Sequence, residues 1–301
     1  LNVTFPSTPD PVDIAMNRRP EMRAMLSKKE GVEREEYANA LSGVAIVSRQ
    51  DLNSYEFDKL DGSIRSFYRG YKPDWKDLLD DVPAVLTQYG VALSRLNEAF
   101  ARGASYFVIT GPAGSGKSTM LKWLALSSSD DGRRVYFMPS KVESIVDVIS
   151  RLEEANSDRY MVFVDRLDYF RKDLSCIKNK FPKVLLVGAE SIRIWDRRLK
   201  DYLDSPGVYS VKGIDEVDAD EILEKLRKFG PWTRLSNMKP VERRREILER
   251  SKRQLLIALM EATTGSGFDE IVGRDFSGVD EDDMVFFLAV CIATMHRCHL
   301  S

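Results

Sequence analysis

An α/β fold is predicted: a five-stranded parallel sheet, an all-helical C-terminal domain after it, and a mixed, partly helical extension before it. Three observations predict it. Between residues 83 and 212 short apolar runs alternate with helical segments, the pattern of a parallel sheet covered on both faces. Inside that region Gly111-Pro112-Ala113-Gly114-Ser115-Gly116-Lys117-Ser118-Thr119 joins an apolar run to a helix. Beyond residue 213 the apolar spacing is helical throughout.

Residues 1–82 are expected to form an N-terminal arm and connector. Pro6, Pro9, Pro11 and Pro20 make the first part irregular. Glu21 to Asn39 is helix-prone, and Val44 to Val47 has the composition of a short strand. Ser66 to Trp75 is dense in aromatics and reads as a packed connector. In the core, 83–212, a helix is expected over Leu93–Ala101, then a strand at Tyr106–Thr110 and a helix at Lys117–Ser128 buried nearly all round. Arg134–Met138 is the second strand and Val142–Leu152 the next helix. Tyr160–Val164, Val184–Val187 and Val208–Val211 complete the sheet. The helical lid, 213–301, has helices at Asp218–Phe229, Val241–Ala262 and Asp283–Met295.

The 301 residues are 43% hydrophobic and 31% charged, the balance of a globular protein with room for a large core. No apolar stretch is long enough to span a bilayer. A formal net charge of −2 exerts no global pull toward nucleic acid. Cys176, Cys291 and Cys298 are too few and scattered for a disulfide framework, so a reducing compartment, the cytoplasm, is expected. Residue 1 is Leu and no signal-peptide pattern follows, which suggests a piece of a longer chain.

The loop from Gly111 to Thr119 is a complete Walker A sequence in its proper setting, after a buried strand and at a helix start. Main-chain N–H groups and the helix dipole converge there, which makes a phosphate site. Lys117 is placed to reach the β- and γ-phosphates and Ser118 to ligate Mg²⁺. Asp165, closing the strand Met161-Val162-Phe163-Val164, is the expected second Mg²⁺ carboxylate, on a strand adjacent to the loop's own. The residue after it is Arg166, which cannot take a proton from water. Asp168 and Glu190 are the remaining candidates to activate water, and slow hydrolysis fits this site as well as fast turnover. Arg193, Arg197 and Arg198 follow the fourth strand. Either one of them, Arg193 first, stabilises the γ-phosphate in its own subunit or across an interface, or all three lie on a solvated helix face.

With these residues in hand, the chain resembles the STAND class of signalling ATPases, in the AAA-like branch of P-loop proteins, and most of all the bacterial antiphage STAND proteins. The resemblance runs from about Ser66 to the end. It rests on the Walker A run, on Met161-Val162-Phe163-Val164-Asp165, on Glu216–Trp232, and on Arg253–Ala262 leading to Thr264-Gly265-Ser266-Gly267. Two departures stand out: Arg166 sits where a second acidic residue is common, and Gly188-Ala189-Glu190 where a sensor arginine is common. The resemblance implies ADP or ATP with Mg²⁺ held between core and lid, homo-oligomerisation on activation, and effector and sensor domains outside this chain.

Other signals carry less. Cys291, His296, Cys298 and His299 have zinc-type side chains but not zinc-ligand spacing, so no zinc site is expected. Glu242 to Arg253 interleaves signs as a solvated helix does. Three functions compete: a nucleotide-dependent switch, an AAA-type ATPase that remodels or loads onto nucleic acid or protein, and a P-loop kinase. No acceptor-substrate motif supports the kinase. No NKxD-type motif reads guanine, which favours adenine.

Overall fold

The computed structural model describes residues 44–54, 67–68, 73–138, 142, 144–203, 205–229, 232, 234–251, 255–264 and 288. Its centre is a six-stranded sheet: β1 (Ala45–Ile46), β2 (Tyr106–Gly111), β3 (Val135–Met138), β4 (Tyr160–Asp165), β5 (Val184–Ser191) and β6 (Gly207–Ser210). The spatial order is β1-β3-β4-β5-β2-β6. Strands β2 to β6 are parallel, and these are the five the sequence predicts. The sixth, β1, comes from the Val44–Val47 run of the N-terminal region and pairs antiparallel with the edge strand β3.

The helices are α1 (Arg49–Ser54), α2 (Trp75–Leu79), α3 (Thr87–Ala101), α4 (Lys117–Asp130), α5 (Ile145–Ala155), α6 (Leu174–Lys180), α7 (Glu216–Phe229), α8 (Pro240–Ser251) and α9 (Leu255–Thr264). Alternate residues of each strand serve opposite faces, as the two-residue period requires. Phe107, Ile109, Met161, Phe163, Leu185 and Val187 pack under α3, α4 and α7, whereas Tyr106, Val108, Tyr160, Val162, Leu186 and Val184 pack under α5 and α6. Both faces are therefore dry, which explains why the strands read as continuous apolar runs.

Two helix starts differ from expectation for a physical reason. Helix α3 begins at Thr87, six residues before Leu93, and its N-cap residue, Leu86, has no capping side chain of its own. The cap comes from the lid, where Asp218 accepts the Thr87 N–H at 2.7 Å. Helix α5 starts at Ile145, where the Ser144 hydroxyl accepts from Asp147 N at 3.2 Å. The helix expected over Val241–Ala262 is described as two pieces, α8 and α9. The expected helix Asp283–Met295 lies outside the described residues, apart from helical Leu288, as do Cys291, His296, Cys298 and His299.

Two side-chain contacts tie the residues after β6 to the stretch Asp81–Gln88, and a capping box fixes the start of α7. Asp215 and Asp218 form a reciprocal capping box at the start of α7, with N–H to carboxylate distances of 2.9 and 3.3 Å. The Gln88 amide pairs with both the N–H and the carbonyl of Lys212, at 2.8 and 3.2 Å. Lys225 Nζ bonds the Asp81 carboxylate at 2.5 Å and the Asp81 carbonyl at 3.1 Å.

Candidate phosphate site at the sheet edge

The loop after β2 occupies the carboxyl edge of the sheet, the usual ligand edge of an open parallel sheet. Gly114 and Gly116 have φ of 67° and 83°, backbone that a Cβ would strain. Gly116 is also the N-cap of α4, so the loop turns straight into the helix with no side chain over its first N–H groups. The Ser115 hydroxyl is buried inside the loop with no hydrogen-bond partner among the described residues. Lys117 Nζ donates to the loop carbonyl of Pro112 at 2.5 Å. Left-handed glycines running into an uncapped helix start, with an orphaned Ser115 hydroxyl among the described residues, fit a polyphosphate.

Asp165 ends β4, and the Ser118 hydroxyl donates to its Oδ2 at 3.2 Å. Those two oxygens are the pair a Mg²⁺ ion would take up. The sequence predicts Asp165 on a strand adjacent to β2, but in the structure β5 lies between β4 and β2. Chain order carries no information on which later strand inserts beside the first. The distance is still short, because α4 starts over the sheet edge and carries Ser118 across β5 toward β4.

The two other acidic candidates are engaged. Glu190 is 1% exposed, and its carboxylate oxygens accept Asp168 N at 2.9 Å and Ser191 N at 3.2 Å. Asp168, in the 3₁₀ turn Leu167–Phe170, accepts from Arg198 Nη1 at 3.3 Å. Arg193 and Arg197 are exposed on the helical segment after β5. The run around α8 pairs locally: Arg244 makes a forked bond to Asp220 at 2.7 Å, and Arg245 bonds Glu249 at 2.8 Å.

Beside the loop is a mainly apolar cavity of about 180 Å³. The connector contributes Tyr68, the stretch before α3 Pro83, α3 Tyr89, and α7 and α9 contribute Ile222, Leu255 and Leu259. Burial pushes both tyrosine hydroxyls above their ordinary range, so they stay neutral. The Tyr68 hydroxyl donates to the Val82 carbonyl at 2.7 Å, and its ring meets Phe67 edge-on at 5.1 Å. The lid also touches the loop directly, since Leu256 N–H donates to the Gly114 carbonyl at 3.1 Å.

Sequence reasoning missed the residues that close this cavity, Tyr89 and Ile222 among them. Each sits on an ordinary amphipathic helix face, where nothing local marks it as lining a site.

Residues 65–202 match the family model described as Novel STAND NTPase 5. This segment is a STAND-type P-loop NTPase. The match begins in the aromatic connector and takes in the Walker A loop, Asp165 and the segment after β5. The whole chain is also similar to three solved structures. One is the Holliday junction branch migration motor RuvB of Thermotoga maritima, at 16% identity over 74% of this chain and 73% of that one, TM-score 0.40. A second is the Orc1 protein of Aeropyrum pernix in complex with DNA, at 21% identity over 62% and 61%, TM-score 0.41. The third is C. elegans PCH-2, at 14% identity over 59% and 62%, TM-score 0.36. The aligned region spans less than two thirds of the Orc1 and PCH-2 chains. No curated protein matches the chain. Among the described residues no helix is long and apolar enough to cross a membrane.

Proposed function

We propose that this chain is the nucleotide-responsive switch of a larger multidomain protein of the antiphage-defence type, binding ADP or ATP with Mg²⁺ between core and lid. The observation that carries this reading is the cavity whose walls come from the Walker A loop on one side and α7 and α9 on the other, with Leu256 bonded to Gly114. A nucleotide there would touch both domains at once, so its phosphate number biases the core–lid geometry. In this reading Gly111 to Thr119 hold the phosphates, Lys117 neutralises them, and Ser118 and Asp165 hold Mg²⁺. When bound, Mg²⁺ supplies charge neutralisation of the polyphosphate. The apolar cavity takes the base.

Hydrolysis is proposed to be slow. Glu190 and Asp168 are committed to main-chain and Arg198 bonds, and Arg166 stands beside Asp165, so a base poised for water is not supplied by these three. Arg193 is proposed to meet the γ-phosphate of its own or a neighbouring subunit in an activated homo-oligomer. The effector and sensor domains lie outside this chain, and the setting is cytoplasmic.

The decisive experiment is to denature the purified protein and identify the released nucleotide, with turnover measured in parallel. Retained ADP and slow turnover are expected. Lys117→Ala should abolish the thermal shift by ATP and ADP, and Asp165→Ala should remove its Mg²⁺ dependence. A shift that survives Lys117→Ala would end the reading.

A further inference from the structure

Arg166 follows Asp165, the strand-end carboxylate that accepts from Ser118. It has φ 64° and ψ 69°, a left-handed backbone that a long side chain adopts only when its surroundings impose it. The surroundings do impose it. Arg166 N is bonded to the Ala189 carbonyl at 3.2 Å, and Leu167 is fully buried against Gly188. Asp168 N is held by the buried Glu190 carboxylate at 2.9 Å. Three successive residues are thus pinned to β5, and the turn cannot relax at Arg166 without releasing one of them.

The guanidinium is also unneutralised. Among the described residues no carboxylate lies within ion-pair distance of it. Nη1 donates to the Tyr169 hydroxyl at 2.6 Å, and the group stands over the Tyr169 ring at 5.6 Å. A guanidinium has five N–H donors, and this contact uses one. Arg198, by contrast, is already paired with Asp168. Arg166 therefore presents a strained, largely unused cation one residue beyond Asp165, whose carboxylate reaches Ser118.

We propose that Arg166 is the residue with which this chain distinguishes a nucleoside triphosphate from a diphosphate, its guanidinium pairing with the terminal phosphate. Tyr169 is a positioning residue: its ring and hydroxyl keep the guanidinium extended when no phosphate is present. A planar fork of N–H donors matches phosphate oxygens, and the pairing is charge-assisted. The position after the Mg²⁺ carboxylate, where a carboxylate could take a proton from water, is here given to a cation that can only donate hydrogen bonds to the phosphate. The proposal rests on the phosphate site described above.

The test is titration of the full chain with Mg²⁺ and either a non-hydrolysable ATP analogue or ADP. Arg166→Ala should weaken the ATP analogue by about 10-fold or more, the usual size of a lost bond to a charged group, and leave ADP within about twofold. Arg166→Lys, which keeps the charge and loses the fork, should fall between, and Tyr169→Phe should cost the analogue about threefold. Arg166→Gly removes the backbone strain, so it should melt at or above the wild-type temperature while losing the triphosphate preference. Equal weakening of both nucleotides, or an unchanged ratio, in well-folded Arg166→Ala and Arg166→Gly would overturn the proposal. Loss of both nucleotides in Lys117→Ala separates that outcome from failure of the phosphate site itself.

Discussion

Replacing Asp218 with Ala probes the joint between α7 and the start of α3. Asp218 is 2% exposed and accepts two main-chain N–H groups, Thr87 at 2.7 Å and Asp215 at 3.3 Å. One carboxylate thus caps its own helix, α7, and also the first turn of α3, which has no side-chain cap of its own. Losing a capping acceptor costs about 1 kcal/mol. Leaving the Thr87 N–H unsatisfied costs a further ~1–3 kcal/mol. Removing a buried carboxylate returns part of its desolvation cost, which brings the expected loss to about 2–3 kcal/mol. For a domain of this size that lowers Tm by about 4–12 °C. The assay is thermal unfolding of Asp218→Ala beside Asp220→Ala, whose carboxylate is half exposed and pairs with exposed Arg244. Water screens the second pair, so Asp220→Ala should melt close to wild type. If the two variants melted alike, Asp218 would not be the structural link described here.

Asp77 gives a pH test. Burial raises its carboxyl above the ordinary 3.8, and its Oδ1 is buried without a partner among the described residues while Oδ2 accepts Asp74 N at 2.7 Å. A carboxyl raised in the folded state stabilises the fold at pH below its ordinary value, and that contribution is lost as pH rises through the folded value. Asp77→Asn keeps an acceptor and removes the charge, so denaturant melts should lose less stability from about pH 4 to about pH 7 than wild type. An identical pH slope would refute this. Gly188→Ala would place a Cβ at 2.9 Å from Leu167 Cβ, a clash costing about 1–3 kcal/mol. Because Leu167 anchors the turn after Asp165, the same variant should weaken Mg²⁺-dependent nucleotide binding in titration. Wild-type affinity and stability together would mean the turn tolerates the shift.

Much of the core was legible in the residues. Tyr106–Gly111 and Tyr160–Asp165 are buried on both faces, so their apolar runs are uninterrupted and easily recognised. The loop at Gly111–Thr119 was equally plain, since Gly114 and Gly116 take left-handed backbone that few residues tolerate. The start of α3 was not legible, because its cap stands 131 residues away in the chain. The place of β5 between β4 and β2 was not legible either, since pairing between parallel strands follows from global packing.

Local rules therefore determined the α/β class, the phosphate loop and the identity of Lys117, Ser118 and Asp165 as candidates, because strand burial, left-handed glycines and helix starts leave marks within a few residues. Only the tertiary structure decided that Glu190 and Asp168 spend their carboxylates on Asp168 N, Ser191 N and Arg198, that Asp218 joins α7 to α3, and that Arg166 is strained and meets no carboxylate among the described residues. Those outcomes depend on which distant group fills each hydrogen bond, and the pairing of buried donors and acceptors is set by the packed fold as a whole.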